Sequence, residues 1–513
     1  MNGAECLMKA LVDAGVTLCL TNPGTTEIHL VAALAKEPCI RSVLGLFEGV
    51  CSGAADGFAR MTGRPAATLL HLGPGLANAV ANLHNARRAR SPVVNLVGDH
   101  AQYHRANDPP LASDILTLAK YVSGWVREAS SAAGLAADGI AAVQAALGPP
   151  GQVATLIIPA DHAWGPAQAT TTALAQPHPA AVSDQTVDAA AEMLRSGLPT
   201  VLLLGGSALL SPGLQAAARI AQKSGAVVMS HTFDARMARG AGLPEFKRLP
   251  YFPERAQKRL SGYAQIILVG THPPAAFFAY PERSVQMAPD DCRSAVLAGP
   301  HEDSVGALQA LAGALEAGED IGTVKEQRPE LPTGALSAHT VGAALGALLP
   351  ENAIISDESG TSGEYAYRLT AAAPPHDWLC LTGGAIGQGV PVGTGVALAC
   401  PDRKVICLQG DGGAMYTLQA LWTQAREQLD VTTLIFSNRK YQILQVELAR
   451  LGFTDPAATL LNMMDLGRPD LDWVQLARGM GVEAARAEST AAFNTLLARA
   501  MAEPGPHVIE ILL

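Results

Sequence analysis

The stretch KVICLQGDGGAMYTLQALWTQAREQLDVTTLIFSN, residues 404–438, decides the fold. Residues 404–409 form an apolar run that reads as a strand, and Gly410-Asp411-Gly412 turns out of it. Residues 416–428 read as a helix, with Leu418, Leu421, Trp422 and Ala425 on one face. Residues 431–436 are a second apolar run, ending in Ser437-Asn438. This is one βαβ unit. If its two strands are neighbours they lie about 4.8 Å apart, and their carboxyl ends point the same way. Asp411 and Asn438, 27 positions apart in sequence, then share one site. Both offer oxygen. Magnesium takes near-octahedral oxygen ligation from one or two protein groups, completed by phosphate oxygens and water. The flanking glycines let the backbone approach a diphosphate, and the following helix N-terminus adds amides and partial positive charge. GDG alone is also what a tight strand-to-helix turn looks like. The Asn after the next strand is what favours a site.

Outward from this unit the alternation of apolar runs and helical patterns continues. Runs occur at 16–21, 42–47, 66–71 and 93–97, then at 200–204, 226–230 and 265–269, and then at 353–356, 378–381 and 507–512. Two polar, Pro-containing stretches, 164–184 and 317–337, read as linkers. The expectation is an α/β chain of three doubly wound parallel-sheet domains, over residues 1–165, 185–316 and 336–513. Ligands of such sheets sit outside the carboxyl ends of the strands. There the first domain places Asn22-Pro23-Gly24-Thr25-Thr26-Glu27, Glu48, His71-Leu72-Gly73-Pro74-Gly75 and Gly98-Asp99-His100. The third places Asp357-Glu358-Ser359-Gly360-Thr361-Ser362, Gly383-Gly384-Ala385-Ile386-Gly387, Gly410-Asp411-Gly412 and Ser437-Asn438. The middle domain offers less: Gly205-Gly206-Ser207 and Gly270-Thr271-His272.

Bulk properties narrow the class. Half of the chain is apolar (49%) and only 16% is charged, which suits large buried cores rather than a disordered chain. A net charge of −10 gives no basic patch for nucleic acid or anionic membrane, so an anionic ligand needs a metal ion, helix N-termini or single basic side chains. No apolar run reaches the ~20 residues of a membrane span. The start lacks a basic segment followed by an apolar one, so no secretory signal is expected. Eight scattered cysteines form no CxxC, and a cytoplasmic protein with reduced thiols is the expectation.

With these residues in view, a resemblance can be stated. GDGGAMYTLQALWTQAREQLDVTTLIFSN resembles the thiamine-diphosphate motif, GDG followed after about two dozen residues by Asn. More narrowly it is similar to the decarboxylase and acetohydroxyacid (acetolactate) synthase group, with a near-parallel stretch in benzoylformate decarboxylase. The likeness runs through the first and third domains and is loose in the middle one. It makes the three domains pyrimidine-binding, middle and diphosphate-binding. It implies thiamine diphosphate and Mg²⁺, the metal held by Asp411, Asn438 and the Lys440 carbonyl. The family often has Asn-Asn where this chain has Ser437-Asn438, and the ligand position is retained.

Glu48 follows an apolar run and opens a small-residue helix, EGVCSGAADGFAR. By itself a Glu in a first helical turn is ordinary. The resemblance makes it the glutamate beside the pyrimidine ring that drives activation of the cofactor. Ile386 falls where the family puts a bulky apolar residue beneath the cofactor. The further positions implied in cofactor binding are Gly73, Asn78, Ser359, Thr361, Gly384, Gly410, Gly412, Gly413, Ala414 and Tyr441. Thr25 and His71 match substrate-contacting and catalytic residues of benzoylformate decarboxylase. That enzyme's second catalytic His, in its middle domain, has no match in HPPAAFFAYP, and His272 lies several residues away. Because Glu48 and Asp411 belong to different domains, the resemblance implies a cofactor bridging two subunits: a homodimer at least, commonly a homotetramer.

The reaction implied is decarboxylation of a 2-oxo acid, carboligation to a second carbonyl, or both. An alternative within the family is a 2-hydroxyacyl- or oxalyl-CoA-type C–C lyase. FAD, carried by acetohydroxyacid synthases, has only a faint trace in His231-Thr232-Phe233-Asp234-Ala235-Arg236. Those enzymes' Gln after the fourth strand is replaced by Asp99, and the segment after Asn438 lacks their Trp. His100 and His104 are candidate substrate contacts. A nucleotide-dependent oxidoreductase would need GxGxxG or GxxxxGK[ST] opening a helix, and neither occurs in that context. A catalytically silent regulatory subunit would have no need of Glu48.

Overall fold

The computed structural model describes residues 1–169, 174, 177–281 and 284–513. Residues 170–173, 175 and 176 of the first expected linker lie outside the described residues. The chain divides into two compact units. The first comprises Met1–Pro177, Arg328–Thr370 and Cys380–Leu513, the second His178–Gln327 and Ala371–Leu379.

The first unit contains a six-stranded sheet: β1 (Leu18–Thr21), β2 (Arg41–Leu44), β3 (Ala66–His71), β4 (Val93–Asp99), β5 (Trp125–Glu128) and β6 (Val153–Pro159), in the order β2-β1-β3-β4-β6-β5. All its pairings are parallel. Strand order reverses between β1 and β3, so a crevice opens at their carboxyl ends. Expected runs 66–71 and 93–97 appear here, the latter extended to Asp99. β5 and β6 were not anticipated. β5 is short and half-exposed, and β6 follows a Gly/Pro-rich segment that hides its onset.

The second unit has five parallel strands: β7 (Thr200–Leu204), β8 (Val227–Ser230), β10 (Lys247–Arg248), β11 (Gln265–Val269) and β12 (Arg293–Ala298), ordered β10-β8-β7-β11-β12. Its remaining strand, β9 (Met237–Arg239), pairs antiparallel with residues 376–378.

Back in the first unit, β13 (Ile354–Glu358), β15 (Val405–Gly410), β16 (Val431–Ser437), β17 (Glu483–Ala487) and β18 (His507–Leu512) make a parallel sheet ordered β17-β18-β16-β15-β13. β14 spans His376–Cys380, all but its last residue in the second unit. β15 and β16 are direct neighbours, as the βαβ reading requires, with Gly410 opposite Phe436.

The helix expected at 416–428 is corrected. Asp411–Ala414 is a single helical turn, and the helix proper is Gln419–Arg426. Residues 416 and 417 are taken by tertiary contacts. Thr417 Oγ1 donates to the Gly387 carbonyl at 2.8 Å, and Tyr416 packs on Gly387, whose φ is +92°. These contacts hold residues 416 and 417 in the turn between the two helical segments.

The two sheets of this unit are joined through the helices Glu48–Thr62 and Gly389–Ala399, which approach at glycines. A Cβ at Gly57 would strike the Val392 carbonyl. One at Gly395 would strike the Ala54 carbonyl, and one at Gly53 would lie 2.6 Å from Pro391 Cβ. The Glu48 helix stops at Gly63, in the left-handed conformation (φ +65°) that caps helices. No described helix is long and apolar enough to cross a membrane.

Candidate functional site

The crevice between β1 and β3 is built around a carboxylate. Thr21 Oγ1 donates to the Leu69 carbonyl at 3.0 Å, tying the two strand ends together. Beyond β1 the chain turns through residues 22–27 and buries Glu27 completely (0% exposed). Glu27 Oε2 accepts the Gly24 amide at 3.1 Å and lies 2.7 Å from His71 Nδ1, while Thr26 Oγ1 donates to Oε1. A Cβ at Gly98, at the end of β4, would run into this carboxylate, and one at Gly24 into the His71 ring. The pocket is therefore shaped around the pair. With Nδ1–H donating to Glu27, Nε2 is the ring nitrogen left for proton transfer. Thr25 is exposed in the same turn.

His71 ends β3, and the helix Leu72–Ala89 starts at once. Leu72 adopts φ +51° while fully buried, an uncommon conformation for a bulky residue. Gly73 is buried against Ser113, where no Cβ would fit. On the next turn Asn78 Nδ2 donates to Glu48 Oε2 at 3.0 Å, and Gly75 closes on Glu48 Oε1. Glu48 is 8% exposed and opens its helix, where the macrodipole favours its charge. One helix start thus carries two pairings: His71 with Glu27, and Asn78 with Glu48.

At the carboxyl ends of β15 and β16, Asp411 is 4% exposed. Its Oδ1 accepts the Gly412 amide at 2.8 Å and its Oδ2 the Arg439 amide at 2.6 Å. Burial raises its pKa, and these amide bonds oppose the rise. The second bond brings the turn after β16, with Arg439 at φ +58°, onto Asp411. Asn438 Oδ1 accepts the Lys440 amide at 3.2 Å, and the Lys440 carbonyl accepts the Gln442 amide at 2.9 Å, leaving a second lone pair. The Tyr441 ring packs on Gly412, and its hydroxyl pKa is raised, chiefly by burial. A Cβ at Gly410 would meet nothing nearer than the Glu358 carbonyl oxygen at 3.9 Å, so space opens beside Asp411. Gly413 is half-buried and Ala414 buried on the same turn.

The loop 383–389 carries Ile386, half-exposed, between pinned neighbours. Asn85 Nδ2 donates to the Ala385 carbonyl at 2.8 Å, and Asn82 Nδ2 donates to the carbonyls of Gly49 and Gly387 at 2.8 and 3.2 Å. Gly384 is exposed, in the left-handed region (φ +76°). Arg60 joins the same region, bonding Asp56, Thr382, Gln388 and the Cys380 carbonyl. Ser359 is buried and bonds Asp357, whereas Thr361 is exposed.

Two residues of this arrangement were not singled out from sequence, Glu27 and Glu358. Both lie in quoted loops, and their importance comes from contacts distant in sequence. The only local signal is an acidic residue placed immediately beyond, or at the end of, an apolar strand. His100 and His104 stand with ring centroids 5.7 Å apart. His100 lines a cavity of about 190 Å³ with Asp99, Arg105, Ser113 and Glu128. Arg105 bridges Asp99 and Glu128 at 2.7 and 2.8 Å, and burial raises the Asp99 pKa. In the second unit, Arg236 pairs with Asp377 at 2.8 Å, and His231 Nε2 contacts the His272 carbonyl at 3.1 Å.

The donor set fits a hydrated magnesium diphosphate: two hard side-chain oxygens at adjacent strand ends, amides around them, and open space at Gly410. Comparison with known proteins bears on the cofactor. Residues 1–118 match the family described as "Thiamine pyrophosphate enzyme, N-terminal TPP binding domain", and residues 358–511 the corresponding "C-terminal TPP binding domain". The chain is 50% identical over 513 residues to the Mycobacterium tuberculosis protein named "Putative acetolactate synthase large subunit IlvX", covering 100% of this chain and 99% of that one. It is 28% identical to benzoylformate decarboxylase of Pseudomonas aeruginosa, over 97% of this chain and 96% of that one. Its fold is similar to that of the thiamine diphosphate-dependent 4-hydroxybenzoylformate decarboxylase of Rhodococcus jostii RHA1, with a TM-score of 0.88 at 24% identity, over 99% and 98% of the two chains.

Proposed function

This chain belongs to the family of thiamine pyrophosphate enzymes, and we propose that it acts with Mg²⁺ on a 2-oxo acid, releasing CO2. The remainder leaves as an aldehyde or is joined to a second carbonyl. The observation that carries this reading is the double pairing at one helix start, Glu27 with His71 and Glu48 with Asn78. Bound thiamine diphosphate supplies the electron sink that lets the carboxyl group leave. The chain supplies position and protons. Asp411, Asn438 and the Lys440 carbonyl would hold the metal. Glu48, steadied by Asn78, would share a proton with the aminopyrimidine ring. His71 Nε2 would transfer a proton at the substrate, and the Thr25 hydroxyl would meet the substrate carboxylate.

The same reading assigns pyrimidine-binding, middle and diphosphate-binding domains to residues 1–165, 185–316 and 336–513. It places the cofactor between two subunits of a homodimer or homotetramer in the cytoplasm. FAD gains no support from residues 231–236, since Arg236 is tied to Asp377.

The test is direct. Metal and cofactor are stripped, thiamine diphosphate is titrated with Mg²⁺, and CO2 release is then screened over pyruvate, benzoylformate and branched 2-oxo acids. Saturable binding and turnover of one of these acids are expected. Absence of binding would remove the reading.

A further inference from the structure

Glu358 ends β13 and is buried, at 7% exposure. Both of its oxygens are engaged. Oε1 accepts the Gly387 amide at 2.6 Å, and Oε2 accepts the Gly389 amide at 2.5 Å. The Gly387 amide belongs to the peptide that ends Ile386. Gly413, in the turn that follows Asp411, presses on the same carboxylate, since a Cβ there would lie 2.5 Å from Oε1. One side chain therefore touches two loops: the one carrying Ile386 and the one carrying Asp411.

The rest of the Ile386 loop is held from other sides. Thr417 and Asn82 donate to the Gly387 carbonyl, and Asn85 holds both the amide and the carbonyl of Ala385. Gly387 itself has φ +92°, which a side chain would strain. Within this frame Glu358 is the group that fixes the peptide joining Ile386 to Gly387. An acceptor-only group suits the task, because two amide N–H donors face it. Burial pushes its pKa up to about 6, and what opposes that rise is amide donors, from Gly387, Gly389, Gln388 and Gln409. The protein thus keeps a carboxylate where burial penalises its charge, which a merely space-filling position would not require.

We propose that Glu358 is a positioning residue that sets the height of Ile386 relative to the Asp411 turn, and so the conformation in which the cofactor is held. This rests on the reading of the site as a thiamine diphosphate site. A glutamine at 358 keeps the shape but sets an NH₂ group against an amide N–H, so one of the two bonds is lost. Diphosphate anchoring by Asp411 and Asn438 is left in place.

The experiment compares the wild type with Glu358→Gln and Glu358→Asp. Deuterium uptake of the peptide covering residues 383–389 is measured first, without cofactor. Uptake is expected to be faster in both variants, with cooperative thermal unfolding retained. Next, thiamine diphosphate affinity with Mg²⁺ is followed by tryptophan fluorescence, and proton exchange at C2 of the bound cofactor by NMR. Glu358→Gln is expected to bind within about tenfold of the wild type but to exchange about 10²-fold more slowly, the size of effect that a 1 Å misplacement produces. Adding Ile386→Ala to Glu358→Gln should cost little more, because both act on one contact. Wild-type uptake and exchange in both variants would overturn the proposal. Full additivity with Ile386→Ala would do the same. Failure of the wild type itself to bind thiamine diphosphate would overturn the site reading and this proposal with it, whereas wild-type binding with unchanged variants overturns the proposal alone. Should Glu358→Gln not fold, Glu358→Asp, which keeps the charge but reaches less far, carries the same comparison.

Discussion

Nδ1 of His71 lies 2.7 Å from Oε2 of the fully buried Glu27. On the proposed function, that contact leaves Nε2 as the ring nitrogen that would transfer the proton. His71→Ala should lower kcat by about 10²–10⁴-fold, the usual weight of a proton-transfer group, with cofactor affinity unchanged. Glu27→Gln should also lower kcat, by less, because the ring survives and only its tautomer is released. Steady-state kinetics beside calorimetric titration of the cofactor separate these effects, and an undiminished kcat in His71→Ala would exclude the role given to it.

Glu48 is expected to matter for activation of the cofactor rather than for holding it. Glu48→Gln retains the bond geometry with Asn78 but cannot share a proton in the same way. Binding of thiamine diphosphate should survive within about tenfold, while C2 proton exchange should fall by about 10²-fold or more. NMR exchange on the bound cofactor reads this out, and unchanged exchange would refute the assignment.

On the same reading, Asp411 would anchor the cofactor's other end. Asp411→Ala removes one of two side-chain oxygens and leaves the amides of Gly412 and Arg439 without their acceptor. Cofactor affinity should drop by more than about tenfold, and raising Mg²⁺ should recover only part of it. Chelation of the metal in the wild type should mimic the variant in the same titration.

Asn82 is a stability prediction. It is 2% exposed and satisfies the carbonyls of Gly49 and Gly387 together. Asn82→Ala removes one donor from each carbonyl, while Ser52 Oγ stays on Gly49 and Thr417 Oγ1 on Gly387, so the cost should be about 0.5–1.5 kcal/mol for each bond lost. Urea unfolding should show the loss as a shifted midpoint with an unchanged slope.

The second unit should be sensitive to acid through His376. Burial first, and then the nearby Arg239 charge, hold its pKa down at about 3, against an ordinary 6.5, while Asp377 pulls the other way. Nδ1–H donates to the Pro374 carbonyl at 2.8 Å. The unfolded chain therefore binds the extra proton between pH 6.5 and 3, and the native state does not. Its contribution to stability is complete above pH 6.5 and is lost as pH falls through that window. Thermal melts at pH 7 and pH 5 should show a drop that His376→Gln reduces.

Much of the frame was legible because parallel strands buried on both faces read as apolar runs. The runs at 66–71, 200–204, 265–269 and 507–512 coincide with β3, β7, β11 and β18. The placement of Asp411 beside Asn438 needed only that β15 and β16 be neighbours. What sequence concealed was set by distant contacts. Thr417 leaves its helix for the Gly387 carbonyl, which no local pattern announces. Glu27 looks like a loop residue until β3 brings His71 to it. Strand β5, half-exposed at a sheet edge, lacks the apolar content that marks its neighbours.

The contact of the helices Glu48–Thr62 and Gly389–Ala399 has a genetic consequence. Gly57 and Gly395 meet backbone oxygens that cannot rotate aside, so even a methyl group must prise the helices apart. Alanine at either position would leave every chemical group of the enzyme intact and still loosen the junction on which Glu48 sits. A screen for heat-sensitive alleles should therefore collect at these two codons.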